Sequence, residues 1–345
     1  MVESEITTTG VVDIGIGVPD LATAVHHWQQ FGYQAREEGA LARSQCARLY
    51  GVATALRAVR MSHGDADRGL IRLMQWDQAG GPGLAMAPLR TPGNRWSVQR
   101  TDSLLTALAH AEVLRQQGQP VSVVGPIINA RSVIPMREQR PFAATMPIAW
   151  NLQIFRPHYQ QVLMQRDHID VSRLGRIAER SLFRASEVCH VAAVIATRSL
   201  ALFDFYDHVL GFVRTTQRRF EFDPESPASV MFGLEPGEAF TEIDFDDAAA
   251  ANDSARALSG RLRIFALEPR TPAAPPIDAA PGQLGYSLYA IETNELERLR
   301  HKVAASGATQ VSPILVDEFA RPAFSFRAPD GYFWSASRGT SVSSA

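Results

Sequence analysis

The chain has 345 residues, 46% hydrophobic and 20% charged, with a formal net charge of −2 and a pI near 6.5. Such a chain is long and apolar enough for two or more cored domains, and its composition argues against disorder and coiled coil. The balanced charge predicts no nucleic-acid or membrane partner, and "MVESEITTTG" lacks an apolar signal core, so a cytoplasmic location is expected.

In chain order, "VVDIGIGVPDLATAVHHWQQFGY" from Val11 predicts a strand, then a helix, then Gly-aromatic. "LYGVATALRAVRM" from Leu49 and "GLIRLMQWD" from Gly69 read as further strands, and "AGGPGLAMAPLRTPGN" (Ala79 to Asn94) as a surface linker. From Arg95, "RWSVQRTDSLLTALAHAEVLRQQG" predicts a second strand and helix, and "WNLQIF" a closing strand. Residues 161–186 are expected to form a connector containing helix. "VCHVAAVIATRSLALFDFYDHVLGF" from Val188 then repeats the opening pattern, with His190 in the place of Asp13 and Phe205 in that of Trp28. "GRLRIFALEP" from Gly260 matches the segment at Gly69, so Arg263 corresponds to Arg72. A second Pro/Gly-rich linker (Glu268 to Gln283) leads to "YSLYAIETNELERLRHKVAASG" from Tyr286. "FSFRAPDGYFW" from Phe324 puts Pro329, Asp330 and Gly331 at positions i+1 to i+3 of a turn between two strands. Cys46 and Cys189 lack any CxxC context and read as reduced, packed thiols.

This succession resembles the vicinal oxygen chelate superfamily, the glyoxalase, bleomycin-resistance and extradiol-dioxygenase group. The likeness rests on "HVAAVIAT", "FDFYDHVLGF", "RAPDGYFW" and, less closely, "DIGIGVPDL". It implies an α+β fold of tandem βαβββ modules in two pairs, each pair a cupped mixed sheet. The expected boundaries are an N-terminal pair over 8–160 (modules about 8–78 and 94–157), a connector over 161–186, and a C-terminal pair over 187–338 (modules about 187–269 and 284–338). In that superfamily a cup commonly holds a divalent metal on His or Glu from its opening strands and Glu from its closing strands. Carried over, the N-terminal slots hold Asp13, Arg95, Arg72 and Gln153, and the C-terminal slots hold His190, Tyr286, Arg263 and Ser335. Arginine donates only and repels a cation, so no cofactor is expected. A metal, if bound, would fall to His190 and Glu242.

Each arginine stands alone among apolar neighbours in its strand and must meet a carboxylate, a ligand anion or water. Asp13 is the expected partner of Arg72, and Arg263 is left to a ligand or to Glu242. The C-terminal cup is thus the expected working site, with His190 as general acid or base, Tyr286 as phenolic donor and Arg263 as anchor for an anionic intermediate. Glu242, Ser335, Phe265 and Phe333 would line it, while Asp13, Arg72, Arg95 and Gln153 would line the other cup. That set suits metal-independent proton transfer, an isomerase or lyase reaction, on a small oxygenated substrate that is aromatic or carboxylate-bearing. Two alternatives stand beside it: a metal-free small-molecule binding protein of the resistance type, and an extradiol-type dioxygenase with a remodelled metal site. The expected partner is a small molecule, with a homodimer left open.

Overall fold

The computed structural model describes residues 6–128, 148–224, 226–268 and 279–339. Module one consists of β1 (Asp13–Gly17), α1 (Leu21–Gln29), β2 (Gln34–Leu41), α2 (Arg43–Leu49), β3 (Leu56–Ser62) and β4 (Leu70–Trp76). Module two contains β5 (Gly93–Thr101), α3 (Leu104–Gln116), β6 (Ser122–Ile128), β7 (Ile148–Phe155) and β8 (Gln160–Asp167). In module three, β9 (Ala185–Ala196) leads through a 3-10 turn (Leu200–Phe203) to α4 (Asp204–His208), β10 (Val213–Glu221), α5 (Pro227–Phe232), β11 (Ala239–Asp246), α6 (Ala248–Asn252) and β12 (Arg261–Glu268). Module four has β13 (Gly285–Thr293), α7 (Leu296–Ala304), β14 (Leu315–Val316), β15 (Pro322–Arg327) and β16 (Phe333–Arg338). The expected α+β architecture of tandem modules is the one observed. Residues 269–278 of the second linker lie outside the described residues.

The pairing of modules is not sequential. One eight-stranded sheet runs β14-β15-β16-β13-β1-β4-β3-β2 and the other β10-β11-β12-β9-β5-β8-β7-β6. Module one therefore shares a sheet with module four, and module two with module three, correcting the expected N-terminal and C-terminal pairs. Hydrogen bonding along the chain explains the nesting. The twelve residues of β9 lie antiparallel to β5, with Gly93 opposite Val194 and Thr101 opposite Ala185. The two linkers cross together between sheets, where Gly80 N donates to Gly282 O (2.8 Å) and Leu284 N to Gly81 O (3.0 Å). A second correction concerns the connector. Its first residues belong to β8, and residues 168–184 form turns without helix, since His168, Gly175 and Arg184 take positive φ (58°, 76° and 42°).

Strand alternation decides what faces what. Ile71 and Leu73 of β4, and Leu262 and Ile264 of β12, enter one buried cluster between the two sheets, together with Trp28, Phe205, Tyr289 and Trp334. The intervening residues, Arg72 and Met74 or Arg263 and Phe265, fall on the outer faces, which curl into two cups.

Gly69 and Gly260 fix how the sheets dock. Gly69 N donates to Val11 O and Gly260 N to Val188 O, both 3.1 Å, while Val188 N donates to Gly69 O (3.2 Å) and Val11 N to Gly260 O (2.8 Å). A Cβ at Gly69 would lie 2.2 Å from Val188 O, and one at Gly260 2.2 Å from Val11 O. Their φ angles of +69° and +74° also favour glycine. The Pro-Asp-Gly turn closes as expected, with Gly331 N donating to Ala328 O (2.8 Å).

Candidate functional site

The cup of the β1/β13 sheet is filled by a charge network. Asp13, 0% exposed, accepts from Arg72 Nη2 (to Oδ2, 3.0 Å) and lies within ion-pair distance of Arg72 Nε (to Oδ1, 2.9 Å) and Arg60 Nη2 (to Oδ2, 2.6 Å). Arg72 also donates to Glu318 Oε1 (3.2 Å) and Tyr50 OH (3.3 Å), and Tyr50 donates to Glu318 Oε2 (2.8 Å). The Phe319 ring covers both guanidiniums, 4.9 Å from Arg60 and 5.3 Å from Arg72. Burial works to raise the Asp13 pKa, but Arg72 and Arg60 outweigh it and hold the carboxyl below its usual 3.8. The ion pair expected between Asp13 and Arg72 is therefore present, and the loop carrying Glu318 and Phe319 plugs the cup. Ser335 and Phe333 of β16 lie on the outer face of this sheet, not beside His190: their neighbours Trp334 and Ala336 pack between the sheets, and Phe333 packs with Met74 and Leu288.

The second cup is built on β9, β12, β11 and β8. His190 is 7% exposed on β9, opposite Arg261 of β12, and Arg263 pairs two residues further along with Ala192. Burial first, then Arg263, Arg261 and Arg166, depress the His190 pKa well below 6.5, so the imidazole is neutral. Arg263 is held by Asp244 in a two-pronged contact (Nε–Oδ1 2.6 Å, Nη2–Oδ2 2.8 Å), with Glu242 at 3.5 Å. Burial opposes the Arg263 charge, but Asp244 and then Glu242 outweigh it and hold its pKa above the usual value. Arg261 is clamped by Asp246 (2.6 and 2.9 Å). Glu242, half-buried beside these groups, has its carboxyl pKa pushed up by desolvation against the pull of Arg263. Phe265 belongs to the apolar part of the same face with Trp96, Phe232 and Phe240.

Arg166, on β8, was not anticipated. It donates to Trp150 O (2.9 Å), Gln165 O (3.0 Å) and Asn151 Oδ1 (3.3 Å), all neutral acceptors. Burial lowers its pKa, and among the described residues no carboxylate pairs with it. The closing strand of module two is β8, not "WNLQIF", which forms β7. The closing residue assigned to Gln153 is corrected on that ground. Gln153 sits on the third strand, on the same face as Phe155, 2% exposed, and its Oε1 lacks a partner among the described residues.

Two further assignments are corrected by the module pairing. Tyr286 stands on β13, in the other sheet from His190, and is hydrogen-bonded across the interior to Ser97 Oγ (2.8 Å). Arg95 is 0% exposed beside Tyr332 in the interior, with Nη2 donating to Ala87 O (3.0 Å) and its pKa pushed down to about 10 by burial. Neither residue lines a cup.

The donor set fits a divalent cation poorly. Among the described residues no three His, Cys, Asp or Glu side chains come together to hold one. Asp13 spends its oxygens on two arginines, and His190 and Glu242 share their cup with guanidiniums that repel a cation. The cup fits an anion instead, with the neutral imidazole beside Arg166, which meets no carboxylate among the described residues.

Glyoxalase I from Zea mays superposes with a TM-score of 0.53 at 14% identity, covering 96% of this chain and 93% of that one. A putative dioxygenase from Bacillus subtilis does so with 0.54 at 12% identity, covering 97% and 86%. At such identity the likeness is one of fold. No family model matches the chain, and no curated protein sequence matches it. Among the described residues no helix is long and apolar enough to cross a membrane.

Proposed function

Since the chain has the fold of the vicinal oxygen chelate superfamily, we propose that it works through the His190 cup as a metal-independent enzyme. Its substrate is a small carboxylate-bearing carbonyl compound and its reaction a proton transfer of the isomerase or lyase kind. The observation that carries this reading is Arg166, half-buried and without a carboxylate partner among the described residues, beside a neutral His190. The substrate carboxylate completes the charge balance at Arg166. His190 then takes the proton from the carbon next to the carbonyl as the C–H bond breaks, and the electron pair moves onto the carbonyl oxygen within the field of Arg263. Binding and chemistry are coupled. The bound anion offsets the guanidinium fields that depress His190, raising its pKa toward the range a general base needs.

The test is exchange of the α-protons of a panel of 2-oxo acids, pyruvate and phenylpyruvate among them, for solvent deuterium, followed by NMR. Exchange catalysed by the wild type and lost in His190→Gln supports the reading. Saturable binding of the panel without exchange turns the assignment toward a metal-free binding protein. That second reading draws on the saturation of Arg263 by Asp244, which leaves fewer of its N–H groups for a reacting oxygen.

A further inference from the structure

Outside both cups, a cavity of about 300 Å³ opens between α1 of module one and α3 of module two, floored by β7 and β8. Its wall is largely apolar, and Ala111 of α3, 2% exposed, stands at its back. One side is the ring of His27 stacked on Tyr159, centroids 4.1 Å apart and planes 8° from parallel. The polar network beneath fixes the imidazole. Gln161 uses its amide N–H on Gln99 Oε1 (2.9 Å), so its own Oε1 accepts from His27 Nε2–H (2.9 Å). Burial pushes the His27 pKa down to about 3, which keeps the ring neutral and apolar in character. Among the described residues no Asp or Glu lines the cavity, whereas Arg156 does, its guanidinium carbon 6.0 Å from the Tyr159 ring centre.

We propose that this cavity is a second small-molecule site, for a flat aromatic carboxylate. The volume reaches the lower end of the range of ligand pockets and is about twice that of a cavity that accepts a single benzene ring. Stacked rings and aliphatic side chains take the aromatic body. The carboxylate lies at Arg156, the one permanent cation among the described lining residues, with no acid among them to oppose it. This site shares no residue with the cup of His190, so the proposal is independent of the reaction assigned there.

The probe is 2-naphthoate, titrated calorimetrically into the full chain. Saturable one-to-one binding is expected in the wild type and in His190→Gln. Ala111→Phe, which fills the cavity, should weaken it at least tenfold, and Arg156→Gln several-fold with loss of the salt dependence. Neutral 2-naphthol should bind the wild type more weakly than the acid. Because Ala111→Phe could perturb packing, Arg156→Gln at the rim serves as the conservative second variant. Absence of saturable binding to the wild type overturns the proposal. So does binding that Arg156→Gln leaves unchanged or that His190→Gln abolishes.

Discussion

Replacing Asp13 by Ala removes the carboxylate on which two buried guanidiniums converge, at 2.6 Å from Arg60 and 2.9 and 3.0 Å from Arg72. Arg72 keeps Glu318 at 3.2 Å, and Arg60 keeps Glu37 at 3.6 Å, so each cation remains partly compensated. Breaking a buried pair from one side costs about 3–5 kcal/mol, and the surviving contacts place Asp13→Ala near the lower end, at about 3 kcal/mol. Urea unfolding midpoints measure the loss. The double variant Asp13→Ala/Arg72→Met should recover much of it, because the uncompensated charge is then gone as well. Ligand binding and proton exchange at the His190 cup should be unchanged in both variants, since the network belongs to the other sheet. A loss below about 1 kcal/mol, within the range of an exposed ion pair, would refute the view that the network is a structural plug. Loss of exchange activity in the stable double variant would refute the assignment of function to the second cup.

Gly69→Ala should cost at least about 2 kcal/mol in the same assay, from a positive φ and a Cβ set against Val188 O, and a neutral outcome would undo the docking described for the two sheets. Asp317, 3% exposed, has its carboxyl pKa raised by burial, with Glu318 adding to it, to about 7 against 3.8 unfolded. The folded state therefore binds more protons than the unfolded state between those values, and the wild type loses stability as pH rises through that window. Asp317→Asn keeps an acceptor for Phe319 N and Arg321 N (2.9 and 2.8 Å), so it should match the wild type near pH 4 and exceed it above pH 7 by a few kcal/mol. Thermal melts across that range decide it, and a pH-independent difference would contradict the shift. Arg166→Gln should weaken 2-oxo acid binding at the His190 cup at least tenfold, the size of one charge-assisted contact, and calorimetry showing equal affinity would remove Arg166 from the site.

Much of the fold was legible because each module repeats the same backbone constraints. The equivalence of Gly69 with Gly260 set a register that places Gly15 opposite Arg72 and Ala192 opposite Arg263. It also pairs Asp13 with Leu70 and His190 with Arg261, as the repeat implies. Module pairing was not legible. Adjacent elements usually neighbour one another, and the alternation in β1, β5, β9 and β13 is satisfied by either arrangement. The choice lies in the linkers' paths and in the long pairing of β5 with β9, which no local pattern encodes. Tyr286 and Arg95 were misplaced for that reason, as was Ser335. Arg166 is not legible as a closing-strand residue because "WNLQIF" carries the apolar alternation of a closing strand but forms β7, one strand earlier. The alternation of Val162 and Met164 with Gln161 and Leu163 in "QQVLMQRD" was the available signal, hidden inside a segment assigned to the connector.

The most direct measurement is the titration of His190 by ¹H–¹⁵N NMR from about pH 5 to 8, with its signals identified by their absence from His190→Gln, first alone and then with a saturating 2-oxo acid. Burial and three arginines hold the free imidazole's pKa well below 6.5, toward the foot of that range. The bound carboxylate should raise its pKa into it, so that binding tightens as pH falls and takes up a proton. An imidazole that titrates near 6.5 in the free protein, or one whose pKa does not move when the acid binds, would contradict the account.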